Sequence, residues 1–375
     1  MAPPAELPTS ARTHPLRRLR GALAAICFVV VLTLLYLLFW PIRARPVAWS
    51  PPSAPSLDAP PYVFAQPLNP AVLDVGAIGP EDVAFDAAGL MYTGCADGSI
   101  LRLDPKAGPP HAELFAQTGG RPLGLHFNAA GDLIVCDAHK GLLAIDPEGT
   151  IRVLATASAD GIPFAYTNDL DIASTGVIYF TDASCRFSVE NTNDALAEHV
   201  YQGRLLSYDP RTSAVTTLSS EFFFANGVAL SPDESFLIVA DTGNYSLVRY
   251  YLSGPRAGSS DYFAQNLPGF PDGVALNPST DTLWVSLVSP RDSLADWAHA
   301  NPWVKSVVLR LPSSWILKTK PFGMVLEYDG TGTLVRSLLD PQGTAFSNVT
   351  NAVAHDGRLY LGSLSWPSVG VIELD

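Results

Sequence analysis

The chain has 375 residues, 47% of them apolar, and a formal net charge of −13, so it is long enough to bury a substantial core. Residues 1–50 hold six arginines and one glutamate, which leaves 17 basic and 35 acidic residues, a net charge of −18, for the remainder. A globule this acidic repels phosphate groups, which excludes nucleic acids as partners, and the length is compatible with one large all-β domain.

Residues 21–40, GALAAICFVVVLTLLYLLFW, contain no charged side chain. A helix of about 20 residues spans a hydrocarbon core of about 30 Å, whereas the apolar region of a cleaved signal peptide is about 7–15 residues long. We therefore predict a retained transmembrane signal anchor. Four arginines precede it and two follow, which predicts a cytoplasmic tail over residues 1–20 and a globule on the extracytoplasmic side, whether periplasm, lumen or cell exterior.

Residues 41–60 follow the apolar run and are rich in proline, serine and alanine. This composition is typical of a semi-rigid linker, which we expect to separate the membrane from a single globular domain over residues 61–375.

Six segments of that domain repeat one pattern, in which two runs of alternating apolar residues flank a turn rich in Gly, Asp, Asn or Pro. Such alternation predicts β-hairpins. The six segments are EDVAFDAAGLMYTG from Glu81, LGLHFNAAGDLIVCD from Leu123, NDLDIASTGVIYFTD from Asn168, NGVALSPDESFLIVAD from Asn226, DGVALNPSTDTLWVS from Asp272 and NAVAHDGRLYLGS from Asn351.

The spacing of these segments predicts an all-β fold, a six-bladed β-propeller. Successive starts are 42, 45, 58, 46 and 79 residues apart, and a period in the forties with about four strands per unit is typical of propeller blades. Insertions over residues 184–202 and 288–305 account for much of the two long intervals. We expect SVVLRLP at residues 306–312 to be the third strand of the fifth blade, and the segment before Glu81 to close the ring in the last blade.

The first residue of each unit lies near the start of an innermost strand and is therefore expected to face the central axis. Five of these six residues carry side-chain oxygens; the set is Glu81, Leu123, Asn168, Asn226, Asp272 and Asn351. No Lys or Arg belongs to this set, so a bound cation would offset the cost of burying its carboxylates. All-oxygen ligation favours Ca²⁺, and the predicted ligands are Glu81, Asn168, Asn226 and Asp272. The alternative interpretation is that the Asn and Asp residues at these strand starts cap turns.

The three cysteines of the domain, Cys95, Cys136 and Cys185, include no CxxC pair, which argues against a zinc site. A Cys95–Cys136 disulfide and two buried free thiols are both compatible with the sequence.

The motifs GPEDVAFD, TNDLDIASTGVIYFTDAS, FANGVALSPD and NLPGFPDGVAL resemble those of the strictosidine synthase-like family, which includes the adipocyte plasma membrane-associated protein and is related to gluconolactonase (senescence-marker) and paraoxonase propellers. The resemblance covers residues 60–375, with motifs in all six units. It implies a six-bladed propeller that hydrolyses esters or lactones at Ca²⁺ in its central tunnel, held by Glu81, Asn168, Asn226 and Asp272.

Two departures from that family bear on the activity. Gly273 follows Asp272 where many members have Asn, and Thr350 and Asn351 stand where strictosidine synthases have a catalytic Glu. Alkaloid condensation is therefore not expected.

We predict a Ca²⁺-dependent hydrolase of small-molecule lactones or aryl esters, in which a metal polarises the carbonyl and a base activates water. Asp272 and His139, the latter in the turn CDAHKGLL, are the candidate catalytic bases. The alternative is a non-catalytic, membrane-anchored propeller that uses the metal structurally and binds a partner, because a propeller fold does not decide function.

Overall fold

The computed structural model describes residues 15–107, 111–312 and 319–374, so most of the predicted cytoplasmic tail, residues 1–14, lies outside the described residues. Helix α1 spans Pro15–Phe39. Its residues Arg18–Phe39 are long and apolar enough to cross a membrane, and none of them is buried against the rest of the protein. The N-terminal segment then forms two short strands, β1 (Gln66–Pro67) and β2 (Ala71–Asp74), before the first blade begins.

The described strands form six sheets, and the prediction of a six-bladed β-propeller is confirmed. Blade 1 consists of β3 (Val83–Phe85), β4 (Met91–Gly94), β5 (Ser99–Leu103) and β6 (Glu113–Gln117). Blade 2 consists of β7 (Pro122–Phe127), β8 (Leu133–Asp137), β9 (Gly141–Ile145) and β10 (Ile151–Ala155). Blade 3 consists of β11 (Thr167–Ile172), β12 (Ile178–Asp182), β13 (Gly203–Asp209) and β14 (Ala214–Phe222).

Blades 4–6 repeat the same antiparallel meander. Blade 4 consists of β15 (Ala225–Leu230), β16 (Phe236–Asp241), β17 (Ser246–Tyr251) and β18 (Ser260–Ala264). Blade 5 includes β19 (Gly269–Asn277), β20 (Thr282–Pro290), β21 (Gly323–Tyr328) and β22 (Leu334–Asp340). Blade 6 includes β23 (Val349–His355), β24 (Arg358–Ser363) and β25 (Ser368–Glu373).

The N-terminal segment closes the ring, as expected from the sequence. Strand β2 pairs antiparallel with β25 and is the outermost strand of blade 6. Strand β1, which the sequence analysis missed, pairs parallel with β22 and adds a fifth strand to blade 5. One short stretch of chain therefore joins the last two blades to each other and covers the outer edges of their sheets.

Two insertions carry the three short helices α2 (Thr192–Glu198), α3 (Ser293–His299) and α4 (Pro302–Val308). They follow β12 and β20, whose last residues pair with the first residues of the inner strands β11 and β19. Both insertions therefore emerge on the face of the propeller where the inner strands begin.

The expectation that SVVLRLP forms the third strand of blade 5 is wrong. Residues 306–308 belong to α4, which starts at Pro302, and β21 supplies that strand instead. Proline suits the first turn of a helix because its missing N–H would have no partner there, so Asn301-Pro302 begins a helix that an alternating pattern alone did not reveal.

The core consists of six apolar layers, each between two consecutive blades. Both faces of every sheet are therefore covered. Cys95 and Cys136 are buried in this core as separate free thiols, which decides between the two alternatives that the sequence left open.

We expect Leu68 to stabilise the ring closure, because it lies between β1 and β2 and is 1% exposed in the layer between blades 5 and 6. Leu68→Ala should lower the free energy of unfolding by about 2–5 kcal/mol through lost burial and the cavity left behind. Denaturant titration measures this loss. Val72→Ala is the matched control, since Val72 is 54% exposed in β2 and should change the value by less than about 0.5 kcal/mol. Equal effects of the two substitutions would contradict this account of the closure.

Candidate active site

The starts of the six inner strands converge on one central pocket. The residues that line it come from every blade: Glu81, Asp82, Leu123, Gly124, Asn168, Asp169, Asn226, Asp272, Gly273, Thr350 and Asn351. All four residues that the sequence analysis proposed as metal ligands lie in this lining. The inner strands meet there because each contacts the inner strand of the next blade around the axis.

Glycine follows the first residue in several units because neighbouring inner strands approach closely. A Cβ atom on Gly227 would lie 2.4 Å from the Val274 nitrogen, and one on Gly273 would lie 2.5 Å from Asn351 Oδ1. Real Cβ atoms do not come so near to other atoms, so only glycine fits. The repeated Asn-Gly-Val and Asp-Gly-Val phrases thus combine an oxygen-bearing side chain with a close strand-to-strand contact.

Hydroxyl groups hold the main chain of the pocket in place from one blade to the next. In each case a Thr or Ser hydroxyl donates to a carbonyl oxygen at or beside a first-position residue of the following blade. The pairs are Thr181 to Asn226, Thr242 to Pro271, Ser286 to Thr350 and Thr350 to Glu81, all at 2.6 Å. These bonds satisfy carbonyl groups that would otherwise be buried without partners.

Two further carboxylates bridge blades beneath the first-position residues. Asp82 accepts hydrogen bonds from the amides of Val83 and Leu125 at 2.8 and 2.9 Å. Asp169 accepts from Leu170 and Val228 at 2.8 and 2.9 Å. Burial raises the pKa of Asp82 to about 7, and the pKa of Asp169 is also raised, by burial and then by the charge of Asp82. Their acceptors are occupied by main-chain donors, so we assign them a structural role.

Arg121 forms an ion pair with Glu81, which the sequence analysis did not anticipate. The guanidinium donates to Glu81 Oε2 and, at 3.1 Å, to the Gly79 carbonyl, and the two side chains are only 10% and 16% exposed. Burial raises the pKa of Glu81, and Arg121 opposes that rise. Arg121 is not one of the six first-position residues, yet it supplies Glu81 with a positive charge that the sequence-based expectation assigned to a bound cation. The sequence offered one signal for this ion pair: Arg121 stands two positions before Leu123, the only apolar residue among the six first positions.

Asp272 is the carboxylate that this arginine leaves uncompensated. It is 8% exposed, and its pKa is raised well above the usual range by burial and then by Glu81, while the Asn226 amide lowers it. Among the described residues, no cation contributes to that balance. Asn226 Nδ2 donates to Thr242 Oγ1 at 3.1 Å, which leaves the side-chain oxygen Oδ1 of Asn226 as the atom available to a ligand.

These residues fit a hard cation. The described part of the chain holds no group of three or more His, Cys, Asp or Glu side chains arranged for a metal. The first-position residues of the pocket instead combine two carboxylates, Glu81 and Asp272, with carboxamides. An all-oxygen set of this kind suits Ca²⁺, which accepts amide and water oxygens in flexible geometry. A cation would also offset the buried charge of Asp272.

His139, the second candidate base, does not reach the pocket. It lies in the turn after β8, where its Nε2 is 3.0 Å from Glu190 Oε1 of the first insertion. The main-chain amide of His139 donates to Asp137 Oδ1, and His139 is not among the residues that line the pocket. The geometry therefore leaves Asp272 as the candidate base.

Comparison with known proteins identifies the family. The models for strictosidine synthase and for the strictosidine synthase-like N-terminal region match residues 168–255 and 71–103. Strictosidine synthase-like 10 of Arabidopsis thaliana is 37% identical over 324 residues, covering 80% of this chain and 86% of the relative. The chain belongs to the strictosidine synthase-like family. The adipocyte plasma membrane-associated protein of Salmo salar is 35% identical over 317 residues, with coverage of 79% and 76%.

Solved structures share the fold of this strictosidine synthase-like protein at low identity. A gluconolactonase of Xanthomonas campestris aligns with a TM-score of 0.59 and 18% identity, covering 90% of this chain and 99% of the other. The calcium-binding protein regucalcin of Agrobacterium tumefaciens aligns with a TM-score of 0.54 and 15% identity, covering 80% and 86%. At these identities the likeness shows the fold alone.

The segment predicted as a linker lies against the mouth of the pocket in this strictosidine synthase-like protein. Ala44 is 2% exposed and packs with Leu123, Tyr166 and Phe224, which stand around the entrance. The buried carboxylate of Glu198 accepts a hydrogen bond from the main-chain amide of Arg45 at 2.7 Å. Ala44 thus packs against Leu123, which is a residue of the pocket lining.

Trp49 anchors the other end of this stretch in an aromatic cluster. The His199 ring lies between Trp49 and Phe223, with ring centroids 4.0 Å away on each side, and His299 is 5.2 Å from Trp49. Burial, then the neighbouring His299 and Lys305, lower the pKa of His199 to about 3. Burial, then Lys305 and Arg291, lower the pKa of His299 to about 4.

This cluster should make the fold sensitive to acid. Both histidines titrate near 6.5 in the unfolded chain and at lower pH in the folded protein. As the pH falls from about 6.5 towards about 4, the unfolded state therefore binds more protons than the folded state, and the free energy of unfolding decreases. The substitution His199→Phe keeps the aromatic stacking and removes the titrating group. The free energy of unfolding of this variant should therefore fall less between pH 7 and pH 5 than that of the wild type. Thermal melting at each pH measures this. His111→Phe is the control, because His111 is exposed. Identical pH slopes in His199→Phe and wild type would contradict the assignment.

Removal of Arg121 should reveal the cost of the buried Glu81 charge. In the presence of a chelator, Arg121→Gln should lower the free energy of unfolding by about 3–5 kcal/mol, because it leaves a buried carboxylate unpaired. Adding Glu81→Gln should restore much of that loss. Denaturant titration gives both values. Arg102→Gln is the control, since its partner Glu113 is exposed and the pair contributes at most about 1 kcal/mol. A double variant no more stable than Arg121→Gln would contradict the pairing.

Proposed function

We propose that this protein is a Ca²⁺-dependent hydrolase of lactones or aryl esters that acts at the central pocket. The observation that supports this most directly is Asp272, a buried carboxylate in the pocket lining with no cation among the described groups that shift its pKa. A scaffold could fill its axis with apolar side chains, whereas this pocket gathers acids and amides from five blades.

Glu81, Asn168, Asn226 and Asp272 would hold the ion. When bound, Ca²⁺ supplies a Lewis acid for the carbonyl oxygen of an ester or lactone. The hydroxyl bonds from Thr181 and Thr350 hold the main chain at Asn226 and Glu81, so the pocket is organised before substrate arrives. Arg121 orients Glu81 through a buried ion pair.

Asp272 would accept the proton of the attacking water at a carboxylate oxygen. Its burial at the axis excludes bulk water from the base, and Asn226 beside it restricts its orientation. The apolar residues at the entrance, Leu123, Tyr166 and Phe224, offer contacts to the organic part of a substrate.

The groups at the start of the last blade support hydrolysis rather than alkaloid condensation. Thr350 Oγ1 donates to the Glu81 carbonyl at 2.6 Å, and Asn351 Nδ2 donates to Asp82 Oδ1 at 2.6 Å. Both side chains are committed to the structure, and neither is a base that could deprotonate an amine.

We also propose that α1 is a retained signal anchor with a cytoplasmic N-terminus, which places the propeller on the extracytoplasmic side. The support is the charge distribution, with four arginines before the uncharged residues 21–40 and two after them. Calcium is abundant in many such compartments, which suits a site of oxygen ligands.

The proposal predicts that chromogenic aryl esters or lactones turn over with Ca²⁺ and stop with a chelator. Asp272→Asn should reduce kcat/KM by about 10²–10⁴-fold, because it removes a base as well as a ligand charge. Glu81→Gln should weaken metal binding, so higher Ca²⁺ should restore part of its activity. The exposed Glu113→Gln is the control and should match wild type.

Full turnover in Asp272→Asn and in the presence of the chelator would overturn the proposal. If Ca²⁺ raises the melting temperature and no ester or lactone reacts, the protein is instead the non-catalytic, membrane-anchored propeller in which the ion is structural.

A further inference from the structure

The second insertion presents an apolar face to solvent. Leu294 and Trp297 of α3 are 59% and 51% exposed, and Trp303 of α4 is 65% exposed. Leu294 and Trp297 are three residues apart, so they lie on the same side of their helix. Two tryptophans and a leucine in so short a segment form an exposed apolar patch of the kind that marks a contact surface.

The charged residues of the same two helices point inwards. Asp296 accepts hydrogen bonds from Tyr245 at 3.1 Å and from Arg291 Nη2 at 2.8 Å. His299 and Lys305 are buried, and Lys305 Nζ donates to the Val47 carbonyl at 2.8 Å. The exposed positions of α3 and α4 and the residues between them are Ser293, Leu294, Trp297, Ala300 and Trp303, none of them charged.

This distribution is the reverse of that on a helix packed at the surface of a water-soluble protein, where the charged face is the outer one. Tryptophan is enriched where a protein meets the interface between lipid and water, since the ring is apolar and its N–H is polar. The outer face of α3 and α4 therefore has the chemistry of a lipid contact.

The insertion is also attached to the end of the candidate membrane span. Tyr36 of α1 donates from its hydroxyl to the Arg310 carbonyl at 2.8 Å, and Arg310 Nε donates to the Trp40 carbonyl at 2.6 Å. Phe39 and Trp40, at the end of the span, are 73% and 58% exposed. The insertion that carries the apolar face is thus held against the last residues of the candidate span.

We propose that Leu294, Trp297 and Trp303 insert into the interfacial layer of the same bilayer that α1 crosses. The propeller then touches the membrane at two places, the span and this insertion, instead of being separated from it by the linker. Because both insertions emerge on the face where the inner strands begin, the mouth of the pocket faces the bilayer.

Single fluorescent labels on the full-length protein in phosphatidylcholine nanodiscs test this proposal. In a background with Cys27→Ser and Cys185→Ser, the variants Trp297→Cys and Trp303→Cys each carry one environment-sensitive dye. Val153→Cys is the control, because Val153 is 57% exposed in the outermost strand of blade 2 and far along the chain from the insertion. All three sites are exposed, so labelling should leave the melting temperature unchanged.

We expect emission from positions 297 and 303 to shift to shorter wavelength and to be quenched by lipids with a spin label near the headgroup, while iodide in the buffer quenches position 153. Equal iodide quenching at all three positions would overturn the proposal, because the face would then be in water. Protection of positions 297 and 303 from both quenchers would also overturn it, since a protein partner or a second copy would then cover the face. Neither result depends on hydrolytic activity.

Discussion

Burial of carboxylates around a closed axis is the constraint on which this structure depends. A propeller brings six inner strands together, and any polar group at their starts loses water. Glu81 is compensated by Arg121, and Asp82 and Asp169 are compensated by main-chain amides of neighbouring blades. Among the residues that the structure describes, no cation compensates Asp272, and the candidate function follows from that difference.

The same crowding explains the local sequence. Glycine at positions 227 and 273 allows the backbones of adjacent inner strands to approach, and threonine and serine hydroxyls satisfy the carbonyl groups that this approach buries. Positioning of the pocket is therefore shared among all blades. Each of these hydrogen bonds joins two neighbouring blades, because the donor and the acceptor belong to different sheets.

The segment between α1, the candidate membrane span, and the propeller contacts both the pocket entrance and the insertions. Its composition indicates a linker, yet Ala44 packs at the pocket entrance and Trp49 lies in an aromatic cluster with two buried histidines. Contacts of this segment with both insertions place the entrance, the apolar face of α3 and α4 and the end of the span on one side of the molecule. Proline-rich composition reports backbone stiffness, and it carries no information about which surface the chain then meets.

Alternation and spacing along the chain are enough to predict the six repeats, the propeller, the closing strand β2 and the convergence of Glu81, Asn168, Asn226 and Asp272, because they record which residues share an environment. Three features become visible only in the folded chain: Arg121 pairs with Glu81, His139 faces Glu190, and residues 306–308 are helical. These outcomes depend on contacts between segments that are distant in the chain or inserted between strands. A repeat pattern places main-chain positions around an axis. The partner of a long side chain depends instead on which neighbouring loop lies within contact distance of it in the folded protein.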